Sequence, residues 1–190
     1  MSEEIQSKTI SLLSEPLIQR RRAGRAGIVL ARMEKDRPHP EFIRLVEEHI
    51  DSAGLSARTV SFSELGDAPV SRLKEIRETE SSDIFLLVFA SEDLTYDSPV
   101  NTRRVAALNL KRSQFVHAGL CVAIFVPSEG MRFLHEHASN LLDFRLRTLD
   151  VPSVSRPPDS ETEAGVAVHN LPYPALGKAF IVRDDELERL

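Results

Sequence analysis

Two rhythms of apolar residues alternate along this chain. DIFLLVFA (83–90) and LCVAIFVP (120–127) are unbroken apolar runs, and a strand without a polar face is one buried on both sides, as at the centre of a parallel sheet. IVLARM (28–33) is a shorter run of the same kind, SARTVSF (56–62) reads as a further strand, and LRTLDV (146–151) as a fifth, at an edge. Between them the spacing turns helical. Phe42, Leu45, Val46, His49 and Ile50 share one face of a helix that Gly54 stops. Val70, Leu73 and Ile76 mark a second, shorter helix. Val105, Leu108, Phe115 and Val116 mark a third, from about Asn101 to His117. Met131, Leu134, Ala138, Leu141 and Leu142 mark a fourth.

This alternation predicts an α/β three-layer sandwich, flavodoxin-like or Toll/interleukin-receptor-like, with about five mainly parallel strands. The domain spans 25–151. Residues 1–24 read as a flexible or helical extension that Pro16 interrupts. From 152 to 178 the composition shifts to Pro, Ser and acidic residues, as in a linker. Residues 179–190, AFIVRDDELERL, pair an apolar triplet with an acidic helix start that ends before it has a body.

Composition narrows the function. A net charge of −5 gives no general electrostatic case for nucleic acid. The local exception is the basic knot Arg20, Arg21, Arg22 and Arg25, which is more often a solvated flank than a phosphate site. No apolar stretch reaches the ~20 residues of a membrane span. The single cysteine, Cys121, sits inside an apolar run, so the expected compartment is reducing and cytoplasmic. It has no obvious base beside it and is not read as a nucleophile.

Ligands of parallel sheets bind at the carboxyl ends of the strands, so the loops to inspect are 34–40, 63–69, 91–101 and 127–130. The first reads EKDRPHP, not GxGxxG, and no GxxxxGK[ST] motif occurs. No cofactor is expected. His135, Glu136 and His137 do not make a zinc motif, because helical residues two apart point away from each other. The richest loop is SEDLTYDSPVNTRR (91–104). In it Glu92, Asp93 and Asp97 are the candidate acids or bases, and Ser91, Tyr96, Ser98, Arg103 and Arg104 form a candidate binding surface. The competing reading is structural: Ser98 or Asn101 caps the following helix, Pro99 stiffens its start, and the charges are solvated.

Two stretches resemble known families. SSDIFLLVF with VFASEDLTYDSPVNTRRVAALN resembles a Toll/interleukin-receptor (TIR) domain. NAD-cleaving members carry a glutamate in a pattern close to S-x-W-C-x-x-E-L. The corresponding stretch here runs from Ser98 through Asn101 to Arg104 and Val105, without the Trp-Cys pair or the glutamate, so no catalytic residue carries over. LNLKRSQFVHAGLCVAIFVPSEGMRFLHEHASNLLDFR (108–145) resembles the segment ahead of the ATPase module in bacterial STAND (NLR-like) signalling proteins. Asn109, Arg112, Pro127, Leu134, Ala138, Phe144 and Arg145 hold matching places. FIVRDDELERL is similar to the start of such an ATPase, with Arg183 the counterpart of an arginine lying near the nucleotide.

The resemblance implies a non-enzymatic N-terminal signalling domain of a STAND NTPase, with a role in bacterial immunity such as antiphage defence. Its partners would be other copies of itself, gathered by the ATPase module, and an unknown protein effector or sensor, not nucleic acid or membrane. The alternative is a TIR-type enzyme that hydrolyses NAD or a related nucleotide. A nuclease effector is a weaker third, since no D…ExK constellation occurs.

Overall fold

The structure, a computed structural model, describes residues 3–34, 37–151 and 168–169. In chain order the elements are α1 (Glu3–Arg22), β1 (Gly27–Met33), α2 (Pro40–Ser52), β2 (Ala57–Ser61), α3 (Pro69–Glu80), β3 (Ile84–Val88), α4 (Pro99–Leu110), α5 (Arg112–His117), β4 (Cys121–Pro127), α6 (Met131–Leu142), β5 (Arg145–Val151) and β6 (Val168–His169). Short 3-10 turns at Phe62–Leu65, Ser91–Leu94 and Ser128–Gly130 follow β2, β3 and β4.

One sheet runs β2-β3-β4-β1-β5-β6. Among the described residues the first five strands are parallel and β6 pairs antiparallel, with His169 opposite Thr148. The α/β sandwich therefore stands as expected, while its strand order differs from the 2-1-3-4-5 order of flavodoxin-like sheets. The long crossover from β1 to β2 travels one way across the sheet, and every later crossover travels the other way. Crossovers of one hand that travel in opposite directions lie on opposite faces. The period of two in the strands sorts the core accordingly. Ile28 and Leu30 meet α3 to α6 through Leu73, Val105, Leu108, Phe115, Phe133 and Leu134. Val29 and Ala31 meet α1 and α2 through Leu13, Leu17, Phe42, Val46 and Ile50. β1 is thus the topological switch point.

The N-terminal segment differs most from its sequence reading. α1 is a 20-residue helix with Pro16 inside it. Leu13, Leu17 and Ile18 are buried against the sheet, so α1 is a layer of the sandwich and not an appendage. Proline at 16 removes the N–H that would bond to the Leu12 carbonyl. Arg147 Nη1 donates to that carbonyl instead, at 3.2 Å. Thr9 and Ser14 are wholly buried, and their hydroxyls donate to the Ile5 and Ile10 carbonyls one turn back, at 2.8 and 2.7 Å.

Other departures are smaller. The expected third helix is broken at Lys111 into α4 and α5, with no proline or glycine marking the break. α6 kinks at Ala138, and Asn109 Oδ1 on α4 accepts the Leu141 N–H beyond the kink at 3.0 Å. His49, which the spacing places on the apolar face of its helix, sits half-buried at the rim between α1 and α2, its Nε2 3.4 Å from Glu15 Oε1. β5 is not the outermost strand, because Val168–His169 pairs with Thr148 and Leu149. That pair lies inside the expected linker, whose remaining residues are outside the described ones, as is the 179–190 segment. Among the described residues no helix is long and apolar enough to cross a membrane.

Asp83 shows how α1 is fastened. Its carboxylate accepts from Arg21 at 2.8 Å and from the Ser56 backbone N–H at 3.0 Å, joining the end of α1 to the starts of β2 and β3. Burial works to raise the carboxyl's pKa, but the Ser56 N–H and the Arg21 guanidinium outweigh it, and the net shift is downward. As pH falls, the unfolded chain therefore takes up a proton at this position before the native one does. The stabilisation is complete above the ordinary carboxyl value of about 3.9 and is lost as pH falls through the lower native value. Asp83→Asn should cost about 2 kcal/mol at neutral pH. Urea unfolding at neutral pH and near pH 3 checks this, with the gap between variant and parent narrowing in acid.

Candidate functional site at the carboxyl rim

The switch point puts the ends of β1, β4 and β3 together at one rim, where a ligand of this fold class would sit. The chain closes that crevice with its own groups. Ser128, just after β4, donates its hydroxyl to the Met33 carbonyl at the end of β1, at 2.8 Å. Arg32 and Asp150, directly opposite in the β1–β5 register, form an ion pair at 2.5 Å. Ser91 donates to Glu129, tying the turn after β3 to the turn after β4. Leu94 lies over Gly130, where an added Cβ would come within 2.3 Å of its Cδ1. Only glycine allows that approach.

The three candidate carboxylates stand in different situations. Asp93 is 4% exposed, and its carboxylate accepts the Ala90 N–H at 3.0 Å, closing the 3-10 turn on itself. Burial raises its pKa against the pull of that N–H and of Arg104. Glu92 points into solvent, 3.6 Å from Arg37 in an exposed pair, and its carbonyl accepts from Asn101 Nδ2 at 2.6 Å. Asp97 is exposed. A cavity of about 360 Å³ at this rim opens between α2 and the ends of β2 and β3, lined by Arg37, Ile43, Glu47, Thr59, Ser61 and Ala90 among others. None of the three carboxylates lines it, and Thr59 donates its hydroxyl to Glu47 at 2.7 Å.

The candidate binding surface divides in two. Arg104 is buried: Nε donates to the Gly66 carbonyl at 2.9 Å and Nη2 to the Phe62 and Ser63 carbonyls at 2.8 and 3.0 Å. Its guanidinium lies 4.9 Å from the Phe62 ring centre. It is a strut under the turn after β2, not a group open to an anion. Ser98 caps α4, accepting the Asn101 N–H at 3.3 Å. Tyr96, by contrast, stands 57% exposed. Its hydroxyl donates to Glu136 on α6 at 2.7 Å, and its ring meets Phe133 edge-on at 5.0 Å. Val100, 53% exposed, and the exposed Arg103 follow on the first turns of α4. Tyr96 on the loop and Val100 at the start of α4 thus stand exposed, with Tyr96 seated on Glu136 and Phe133.

The remaining sequence candidates are occupied as well. Glu136 accepts from Tyr96 and Arg132, and no group of three metal-ligating side chains occurs among the described residues. Cys121 is fully buried, its thiol pushed up to about 11 by desolvation, and its Sγ–H donates to the Arg25 carbonyl. Arg183 lies outside the described residues.

A set of arginines at the opposite rim escaped the sequence reading. Helices that follow parallel strands end at the amino edge of the sheet, so their partial negative ends gather there. Arg22 donates to the Ala53 carbonyl at the end of α2, Arg77 to Ala118 at the end of α5, and Arg145 to Leu142 at the end of α6. With Arg21 on Asp83, half of the basic knot is structural. The sequence shows these charges but not that three helix ends converge on them. No protein-family model matches this chain, and no curated protein matches it.

Proposed function

We propose that the chain is a protein-interaction domain, working as the N-terminal signalling part of a STAND-type NTPase that brings copies together by oligomerising. The observation that carries the reading is the exposure of Tyr96 and Val100, Tyr96 held by Glu136 and Phe133 and Val100 on the helix that Ser98 caps. A preorganised exposed anchor loses little entropy on binding. Ser128, Arg32, Asp150, Asp93 and Arg104 of the adjoining rim support the same reading, because they are committed to one another or to backbone. The cytoplasm is the compartment proposed and bacterial immunity the process, both on the sequence resemblance. Weak contacts become effective when copies are tethered, which multiplies apparent affinity by roughly 10²–10⁴.

The free chain should therefore sediment as a monomer or weak dimer, and copies fused to a ring-forming scaffold should associate through this surface. Tyr96→Ala with Val100→Asp should abolish that association while far-UV circular dichroism stays unchanged. A tight, large oligomer from the free chain would contradict the reading. So would nicotinamide release from NAD that is lost in Glu92→Gln, since that result identifies a TIR-type enzyme.

A further inference from the structure

α4 carries apolar side chains on the side turned away from the core. Its buried residues, Arg104, Val105 and Leu108, face the sandwich. On the other side Val100 is 53% and Leu110 79% exposed, with the exposed Arg103 and the half-buried Ala107 between them. At ~100° per residue these four positions fall within roughly 80° of the helix circumference, so they form one stripe. Steps of three, four and three residues are those of the seam between paired helices.

That stripe is its own complement. Three, four, three reads the same in either direction, so a second α4 laid antiparallel sets Val100 against Leu110 and Arg103 against Ala107. Both pairs share a midpoint at position 105, and a two-fold axis there makes each contact twice. Charge selects this direction. Exposed Asp97 stands before α4 and exposed Lys111 after it. Antiparallel helices bring each aspartate beside the other copy's lysine and oppose the two helix dipoles. A parallel pair would set Asp97, Arg103 and Lys111 each against its like-charged counterpart. Alanine at 107 leaves room for the apolar stem of Arg103 to lie across the second helix. Val100 and Leu110 of each copy, with Tyr96 beside them, fall short of the ~800 Å² per partner of a stable interface, so the pairing suits copies that are already tethered.

We infer that α4 is a homotypic docking helix, through which two copies of this chain pair antiparallel about a two-fold axis at position 105. The inference rests on the protein-interaction reading above and gives it a partner and a geometry.

The test uses full-length Val100→Cys and Leu110→Cys chains, co-assembled on the ring-forming scaffold and treated with a short bismaleimide. Both substitutions replace exposed side chains, and the native Cys121 is fully buried; far-UV circular dichroism checks each fold. Val100→Cys should link to Leu110→Cys several-fold faster than either links to itself, because identical positions stand roughly 15 Å apart along the paired helices. Adding Ala107→Arg, which sets arginine against arginine, should suppress the mixed product. Self-linking of Val100→Cys as fast as mixed linking overturns the inference, as does mixed linking that survives Ala107→Arg. Scaffolded copies that associate without mixed linking overturn it as well, and leave the protein-interaction reading standing. Copies that neither associate nor link overturn both.

Discussion

Arg104→Ala should destabilise the fold by about 3–5 kcal/mol, because it removes three charge-assisted hydrogen bonds and leaves their carbonyls unpaired. The arginine reaches from α4 to the Phe62, Ser63 and Gly66 carbonyls of the turn after β2 and covers the Phe62 ring. Phe62 is itself stacked on Phe89, with ring centres 4.2 Å apart, so the loss reaches the core. Thermal melting should fall by about 10 °C for a chain of this length. Arg103→Ala, one residue earlier on the exposed side, should stay within about 0.5 kcal/mol of the parent. The contrast separates a strut from a ligand-binding cation. Were Arg104 reserved for an anion, its removal would leave stability nearly intact and weaken only binding.

A larger effect is expected from deleting residues 1–22. α1 buries Ile10, Leu13, Leu17 and Ile18 over one face of the sheet. At about 1.5–3 kcal/mol per fully buried side chain, these four contribute roughly 6–12 kcal/mol. That is comparable with the whole stability of an ordinary domain, about 5–15 kcal/mol. The shortened chain should therefore lack a cooperative unfolding transition by circular dichroism. Leu17→Ala in the intact chain should cost about 2–5 kcal/mol. A truncated chain that melts like the parent would return α1 to the status of an extension.

How much of this was legible in advance depends on what each residue type reveals by itself. β3 and β4 were plain because burial on both faces leaves no polar position to confuse the pattern. α2 and α6 were plain because their apolar stripes repeat at helical spacing. α1 was obscured by Thr9, Ser14 and Pro16, which read as surface or breaker until the hydroxyls bond one turn back and Arg147 takes up the orphaned Leu12 carbonyl. Alternation of elements fixed the layers but carries no mark of strand order, since the position of β1 between β4 and β5 depends on contacts far apart in sequence.

The candidate site was legible to a similar depth. Ser98 was one of two cap candidates with Asn101, and the structure has Ser98 accepting the Asn101 N–H. The burial of Asp93 was not legible, because only the 3-10 turn folds its carboxylate back onto Ala90. Arg104 looked like its neighbour Arg103, yet one step along a helix turns a side chain by ~100°, and that rotation alone separates a solvent-facing cation from a buried one.

The short strand β6 has a consequence for handling the protein. Its two residues occupy the outer side of β5 at Thr148 and Leu149, and without them the outward N–H and C=O groups of that stretch would be presented to any passing chain. Such open margins template intermolecular pairing. A version trimmed at Val151 lacks that cover and should aggregate at concentrations that the version reaching past His169 tolerates.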